Sequence, residues 1–160
     1  MGLNTASQFL KIAVVLSLLA AIFHAVGFAT NSWRVTWTSH QGLWETCVGD
    51  LCGKFDTRDS KFLAVRAMET IGLIMVLAVL LVGIVFLCVD NMRRRSIRSF
   101  LILGSLLGVV AITIGLIIYG VDYIQNCGLS CKVGYSMALT IVGGILELGA
   151  GVTFALDRPR

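Results

Sequence analysis

Residues 70–89 read TIGLIMVLAVLLVGIVFLCV, an apolar run without a formal charge. A helix that crosses the hydrocarbon core of a bilayer needs about 20 such residues. Three further runs have the same character: residues 12–29, 100–121 and 133–156, the last interrupted only by Glu147. A helix of a water-soluble bundle would carry charges along one face, and these runs do not. The sequence therefore predicts a membrane all-α fold, a four-helix transmembrane bundle with spans at about 9–29, 63–89, 99–121 and 133–156, in one unit over 1–160. The first run is longer than the apolar core of a secretory leader, about 7–15 residues, and only Lys11 precedes it as a charge. It reads as a span.

Composition agrees. Of 160 residues, 57% are hydrophobic and 14% charged, against about 25% charged in a soluble domain. The 13 basic and 9 acidic residues cluster between the runs, and the net charge is +4. A soluble globule, a disordered chain and a nucleic-acid module are excluded. Placement of the charges says more than their sum. Arg93, Arg94, Arg95 and Arg98 lie between spans two and three, and Arg158 and Arg160 come after span four. Short Arg-rich loops face the cytoplasm. Both termini are then cytoplasmic, and the loops at about 30–62 and 122–132 face outward. In the first outer loop Arg34, Lys54, Arg58 and Lys61 balance Glu45, Asp50, Asp56 and Asp59, so no ion preference is implied.

Cysteine usage fits that topology. Cys47 and Cys52 fall in the first outer loop, Cys127 and Cys131 in the second. Disulfides persist in oxidising, extracellular space. Four cysteines allow three connectivities, of which pairing within each loop is the simplest. Cys88, at the inner end of span two, reads as a buried free thiol, with palmitoylation as the alternative. A metal site is not indicated, because no histidine or further cysteine stands at ligand spacing.

The first outer loop carries strand signals. Trp33, Val35 and Trp37 alternate with polar residues, the period of a strand. They would share one face, either packed or anchoring the sheet at the membrane surface. His40-Gln41-Gly42 reads as a turn, residues 43–48 as a second strand and residues 51–55 as a third. Gly49-Asp50 between them suits a type II′ hairpin. Such a turn places Cys47 opposite Cys52 in a non-hydrogen-bonded pair, with Cα atoms about 4.5 Å apart. A disulfide accepts about 4.4–6.8 Å. The expectation is a small extracellular antiparallel β-sheet with three clear strands.

Trp33, then Gly42-Leu43-Trp44, then Cys47 and Cys52, is a W…GLW…C…C pattern that resembles the signature of the claudins. It is similar as well to the wider superfamily of peripheral myelin protein, epithelial membrane proteins and channel gamma subunits. Ala64-Val65-Arg66-Ala67 at the entry to span two resembles the claudin pattern there. The resemblance covers the whole topology. There are departures: four residues separate the first two cysteines, the second loop has a cysteine pair of its own, and residues 157–160 lack the Tyr-Val ending that claudins offer to PDZ scaffolds. Tetraspanins carry their large loop second, and connexins carry three cysteines per outer loop.

His24, Glu69 and Glu147 lie well inside spans, where ionisable groups turn toward the protein interior. Glu147 is expected to hydrogen-bond Ser17 or Ser105. His24 and Glu69 fall at similar depth, counting about 1.5 Å per residue from the outer ends of their helices, and should pair. Gly104 and Gly108 form a GxxxG, and Gly143, Gly144, Gly149 and Gly151 mark span four. Small residues let helices approach closely. Arg66 stands where a guanidinium can reach carbonyls of the outer loop.

No catalytic constellation is present, and no enzyme activity or cofactor is implied. The resemblance implies a plasma-membrane protein of cell–cell contacts, such as tight junctions. It would associate with itself or related claudin-like proteins, in cis and in trans, to form or regulate a paracellular barrier. The alternative is an auxiliary subunit of an ion channel or receptor. The partners expected are the lipid bilayer and other copies, with no nucleic acid. Association should run through the outer sheet and its aromatic set, Trp33, Trp37 and Trp44, rather than through the short tail.

Overall fold

A computed structural model describes residues 7–54, 59–88 and 95–157. The chain runs through helix α1 (Gln8–Ala29), strands β1 (Arg34–Val35), β2 (Ser39–Gln41), β3 (Glu45–Val48) and β4 (Leu51–Lys54), and helix α2 (Ser60–Cys88). Helix α3 (Arg95–Tyr119) continues through a π turn (Gly120–Ile124) and a 3-10 turn (Gln125–Ser130) into strand β5 (Lys132–Val133) and helix α4 (Tyr135–Leu156). All four helices are long and apolar enough to cross a membrane. Large aliphatic side chains such as Val15, Leu81, Leu107 and Ile145 point outward and are exposed, as a lipid-facing surface requires.

Lipid tails are as apolar as leucine, so close packing and hydrogen bonds, rather than the hydrophobic effect, hold such helices together. Here α1 lies antiparallel along α4. A side-chain carbon on Gly143 would press on the Ala20 carbonyl and the His24 backbone, and one on Gly149 would meet Leu16. Along the seam between α2 and α3, Gly104 faces Val79, Gly108 faces Met75 and Val76, and Gly72 faces Ile112. The GxxxG pair is therefore used in the bundle's own packing. Leu10, Val14, Val76, Val79, Leu101, Ile112 and Phe154 fill the interior.

Polar groups cross-link the helices inside this apolar mass. The Ser17 and Ser105 hydroxyls each donate to Glu147, at 3.0 and 2.8 Å, joining α1 and α3 to α4. His24 Nε2 and Glu69 Oε2 lie 3.1 Å apart and join α1 to α2. All these side chains are buried. At the end of the bundle away from the sheet, Ser7 caps α1 by accepting from the Leu10 amide, and its hydroxyl donates to Asp157. Arg98 donates to the Phe154 carbonyl at the end of α4, where a cation also favours the helix dipole.

The sheet has five antiparallel strands in the order β4-β3-β2-β1-β5. Gly49 has φ of 59° while Asp50 stays at negative φ, the conformation of a type II′ turn that glycine adopts without strain. This turn sets the register: Val48 faces Leu51 and Cys47 faces Cys52, and the two cysteines are bonded with Cα atoms 4.0 Å apart. Cys127 is bonded to Cys131.

Several expectations are corrected. The sheet has five strands, not three. His40 and Gln41 belong to β2, and the reversal between β2 and β3 falls at Gly42-Leu43-Trp44, closed by the Gly42 amide donating to the Glu45 carbonyl at 2.8 Å. Leu43 and Trp44 leave the strand because they turn down onto the bundle. Alternation stops at Val35, because Thr36 and Ser39 close a turn through backbone and hydroxyl hydrogen bonds. Trp33 and Trp37 therefore do not share a face: Trp33 is 0% exposed and Trp37 91%. Residue 133 lies in β5, not in the fourth span, and α2 begins at Ser60 rather than at 63. Cys88 is exposed, not buried, because the last turn of α2 projects past Phe86, its last inward-facing residue. Phe55, Asp56, Arg58, Arg93, Arg94, Arg158, Pro159 and Arg160 lie outside the described residues.

The hairpin yields a paired prediction. Gly49→Ala should cost about 1 kcal/mol, since a Cβ is strained at positive φ. Gly53→Ala should be close to neutral, because nothing lies within 4 Å of the added carbon. Cys47→Ser should cost about 2 kcal/mol, the loop-closure value for so short a ring. Thermal unfolding in detergent micelles measures all three. Non-reducing peptide mapping must return a Cys47–Cys52 peptide.

Candidate functional site

A sheet of five short strands has one face to bury and too few residues to build a core alone. It seats instead on the ends of α2, α3 and α4. Trp33 is the plug. It is fully buried with Leu43, Phe62, Val65, Tyr119 and Met137. Its indole N–H donates to the Gly27 carbonyl at 2.8 Å, and its ring meets Tyr119 edge-on at 5.1 Å. The carbonyl it uses is one of those left unpaired at the end of α1.

Leu43 is the second plug, and Arg66 fastens it. Arg66 Nε donates to the Leu43 carbonyl at 2.6 Å. Its guanidinium carbon lies 5.1 Å from the Trp44 ring centre and 4.9 Å from that of Phe62, within cation–π range. Trp44 in turn donates its indole N–H to the Phe28 carbonyl at 3.1 Å, its ring edge-on to Phe28 at 5.2 Å. Gly42 permits this approach, because a Cβ there would collide with the backbone of Asn31 and Thr30. Trp33, the Gly42-Leu43-Trp44 turn and Arg66 thus form one joint.

The second loop locks the other side. The Gly134 amide donates to the Trp33 carbonyl at 3.0 Å, and the Ser136 hydroxyl accepts from the Ser32 amide at 3.0 Å and contacts Thr30 Oγ1 at 2.7 Å. Arg34 donates to the Tyr123 carbonyl in the π turn. Lys61 pairs with Asp122 at 2.6 Å, and the Tyr123 hydroxyl donates to Asp59. That bond, together with the Lys61 amide, holds the Asp59 carboxyl below its usual range. Sequence reasoning missed Phe28, Tyr119 and Ser136, which look like ordinary members of apolar runs, and Tyr123 in the second loop, which carries no local pattern.

Away from the joint the sheet is uncovered. Trp37, Val48 and Leu51 gather around the β3–β4 turn at 91%, 60% and 84% exposure, with the Gly49 amide bonded to the Thr38 carbonyl between them. All four residues of β4 are exposed. His24–Glu69 and Glu147 with its two serines join helices within the bundle, and among the described residues no group of three or more His, Cys, Asp or Glu stands where it could hold a metal ion.

The joint can be tested at two of its residues. Arg66→Lys can still donate to Leu43 but lacks a planar group to stack between two rings, so it should lower stability by about 1 kcal/mol, and Arg66→Ala by about 2 or more. Thermal unfolding and surface biotinylation should both fall in that order. Asp59 has a depressed pKa, so its contribution is present above the ordinary value of 3.8 and is lost as the pH falls through the lowered one. The stability gap between wild type and Asp59→Asn should be constant above about pH 5 and close at more acidic pH.

Comparison with known proteins agrees with this architecture. Residues 5–154 match the model of the PMP-22/EMP/MP20/Claudin family. Human claudin domain-containing protein 2 is 26% identical over 107 residues, a match covering 62% of this chain and 60% of that protein. With the family match running through all four helices and the five-stranded sheet, the chain belongs to the PMP-22/EMP/MP20/Claudin family.

Proposed function

We propose that this claudin-like membrane protein is a component of cell–cell contacts in the plasma membrane, with both termini cytoplasmic and the sheet outside. It associates through that sheet, with copies of itself or related proteins, to form or regulate a paracellular barrier. One observation carries the reading. Trp37, Val48 and Leu51 stand exposed around the β3–β4 turn, outside both buried clusters. Exposed aromatic and aliphatic clusters on a small domain mark interaction surfaces, and aromatic anchors commonly hold most of an interface's energy. The spans offer less, since Gly104, Gly108, Gly143, Gly144 and Gly151 are buried within the bundle and the outward faces are bulky aliphatics.

Expression in cells without such contacts tests this. Freeze-fracture imaging should show protein strands where two expressing cells touch. Trp37→Ala combined with Leu51→Ala should reduce enrichment at contacts about tenfold at matched surface level, the scale of losing a central interface anchor. Removal of residues 158–160 should leave it unchanged. Dispersed protein that co-purifies with a channel or receptor would replace this reading with that of an auxiliary subunit.

A further inference from the structure

Two polar clusters cross the bundle, and they differ in how completely they are satisfied. Glu147 has a serine hydroxyl on each oxygen. His24 and Glu69 share one contact, Nε2 to Oε2, and both side chains are fully buried. His24 Nδ1 and Glu69 Oε1 have no hydrogen-bond partner among the described residues. Their surroundings are tight: a side-chain carbon on Gly115 would lie 2.5 Å from Glu69 Oε1, and one on Gly72 would lie 3.2 Å from the His24 ring. Of the helices packed around His24, α2 contributes Glu69 and, one turn outward, Arg66, which is turned to the sheet. Helix α4 contributes Glu147, within electrostatic reach of the imidazole, and α3 contributes Tyr119, one turn beyond Gly115. The pair lies directly beneath the joint. The His24 ring meets Phe28 edge-on at 6.5 Å, and Phe28 holds Trp44 through its ring and its carbonyl. Gly27, in the same turn as His24, accepts from Trp33. Glu69 continues the buried line of Phe62 and Val65 along α2.

We propose that His24 and Glu69 form a one-proton binding site that ties the seating of the sheet to pH. An ionised group with an open polar atom in an apolar interior costs far more than a neutral one. The two open atoms cost least when the pair holds one proton and no net charge, the Glu69 carboxyl donating to a neutral imidazole. Loss of that proton to water leaves one buried negative charge, and uptake of a second leaves one buried positive charge. In water an exposed histidine takes up its proton at about pH 6.5 and an exposed glutamic acid at about pH 4.3. Once α1 and α2 part, the pair therefore holds one proton only between those values, none above and two below. The packed form holds one. By linkage its stability is greatest in that window, falls as the pH rises above about 6.5 and falls again below about 4.3. Mild acid tightens the joint and alkali loosens it, whatever the sheet itself contacts.

The test uses the full chain in detergent micelles, with Trp37→Phe as the parent so that indole fluorescence reports Trp33 and Trp44. Unfolding and acrylamide quenching are followed from about pH 5 to about pH 9, a range that spans the histidine titration. Above about pH 7 the parent's unfolding equilibrium should shift against the folded form by up to about tenfold per pH unit, the slope of one released proton. Quenching of the two tryptophans should rise with it. Glu69→Gln keeps a donor to the imidazole without an acid, so its alkaline slope should vanish and its stability should fall on the acid side instead. His24→Leu combined with Glu69→Leu should be flat throughout. The exposed His40 is common to all forms and cancels in the differences. Where one variant fails to fold, the other decides. A parent without the alkaline slope, or a slope kept in the variants, overturns the proton site. A slope that the variants remove, with quenching constant in the parent, overturns the tie to the sheet.

Discussion

The sheet depends on burying Trp33. Its strands contain two to four residues each, well under what a sheet needs for independent stability. The bundle supplies the missing core through Phe62, Val65, Tyr119 and Met137. Burying an indole requires a partner for its N–H, and the end of α1 provides one in the Gly27 carbonyl. One residue thus fills a cavity, satisfies a helix terminus and fixes where β1 begins. The Arg66–Leu43–Trp44 contacts repeat this logic on the other side, so the sheet is held at two points and cannot pivot.

Within the spans a different constraint operates. Burial of leucine against leucine gives little advantage over burial against lipid, so specificity must come from shape and from polar groups. The glycines set how near the helices come, and the buried polar pairs set their register. Glu147 has both oxygens occupied by hydroxyls from two other helices. A shift of α4 by one residue would leave that carboxyl without partners in an apolar interior, at a cost of several kcal/mol. Between α1 and α2 a single contact, His24 Nε2 to Glu69 Oε2, ties the register, while His24 Nδ1 and Glu69 Oε1 are buried without a hydrogen-bond partner among the described residues. In the membrane an unsatisfied polar atom is costlier than in water, so these groups discriminate sharply between packings.

Much of this architecture is legible in the sequence. Long uncharged runs have one physical explanation, and helix rise alone puts His24 and Glu69 at one depth. The β3–β4 hairpin is legible because its information is local: strand period two, a glycine at the first turn position, and cysteines symmetric about it. Features defined by distant partners are not legible in this way. β5 is two residues at the edge of an apolar run, defined only by β1 on the far side of the chain. Composition points to a reversal at His40-Gln41-Gly42, because His, Gln and Gly look like a turn. Leu43 and Trp44 make the turn instead, since their side chains are required below the sheet. Alternation pairs Trp37 with Trp33, but alternation holds only while the strand lasts.

That last difference has functional weight. Had the strand continued through Trp37, that side chain would have shared the face of Trp33 toward the bundle, leaving only Val48 and Leu51 as exposed apolar groups at that end of the sheet. The early turn at Thr36 divides the aromatic set by task. Trp33 is wholly structural and Trp44 is half inside the joint, whereas Trp37 has no structural role among the described contacts and is exposed beside Val48 and Leu51. A patch of three side chains is far below the roughly 1,200–2,000 Å² that a stable two-body complex buries. In the function proposed above, such a contact would be weak singly and become effective when many copies are held facing one another in two membranes, where the effective concentration is high. A rigidly seated sheet suits that regime. Each weak contact then loses little conformational freedom when it forms, because the joint at Trp33 and Arg66 has already fixed the orientation of the patch.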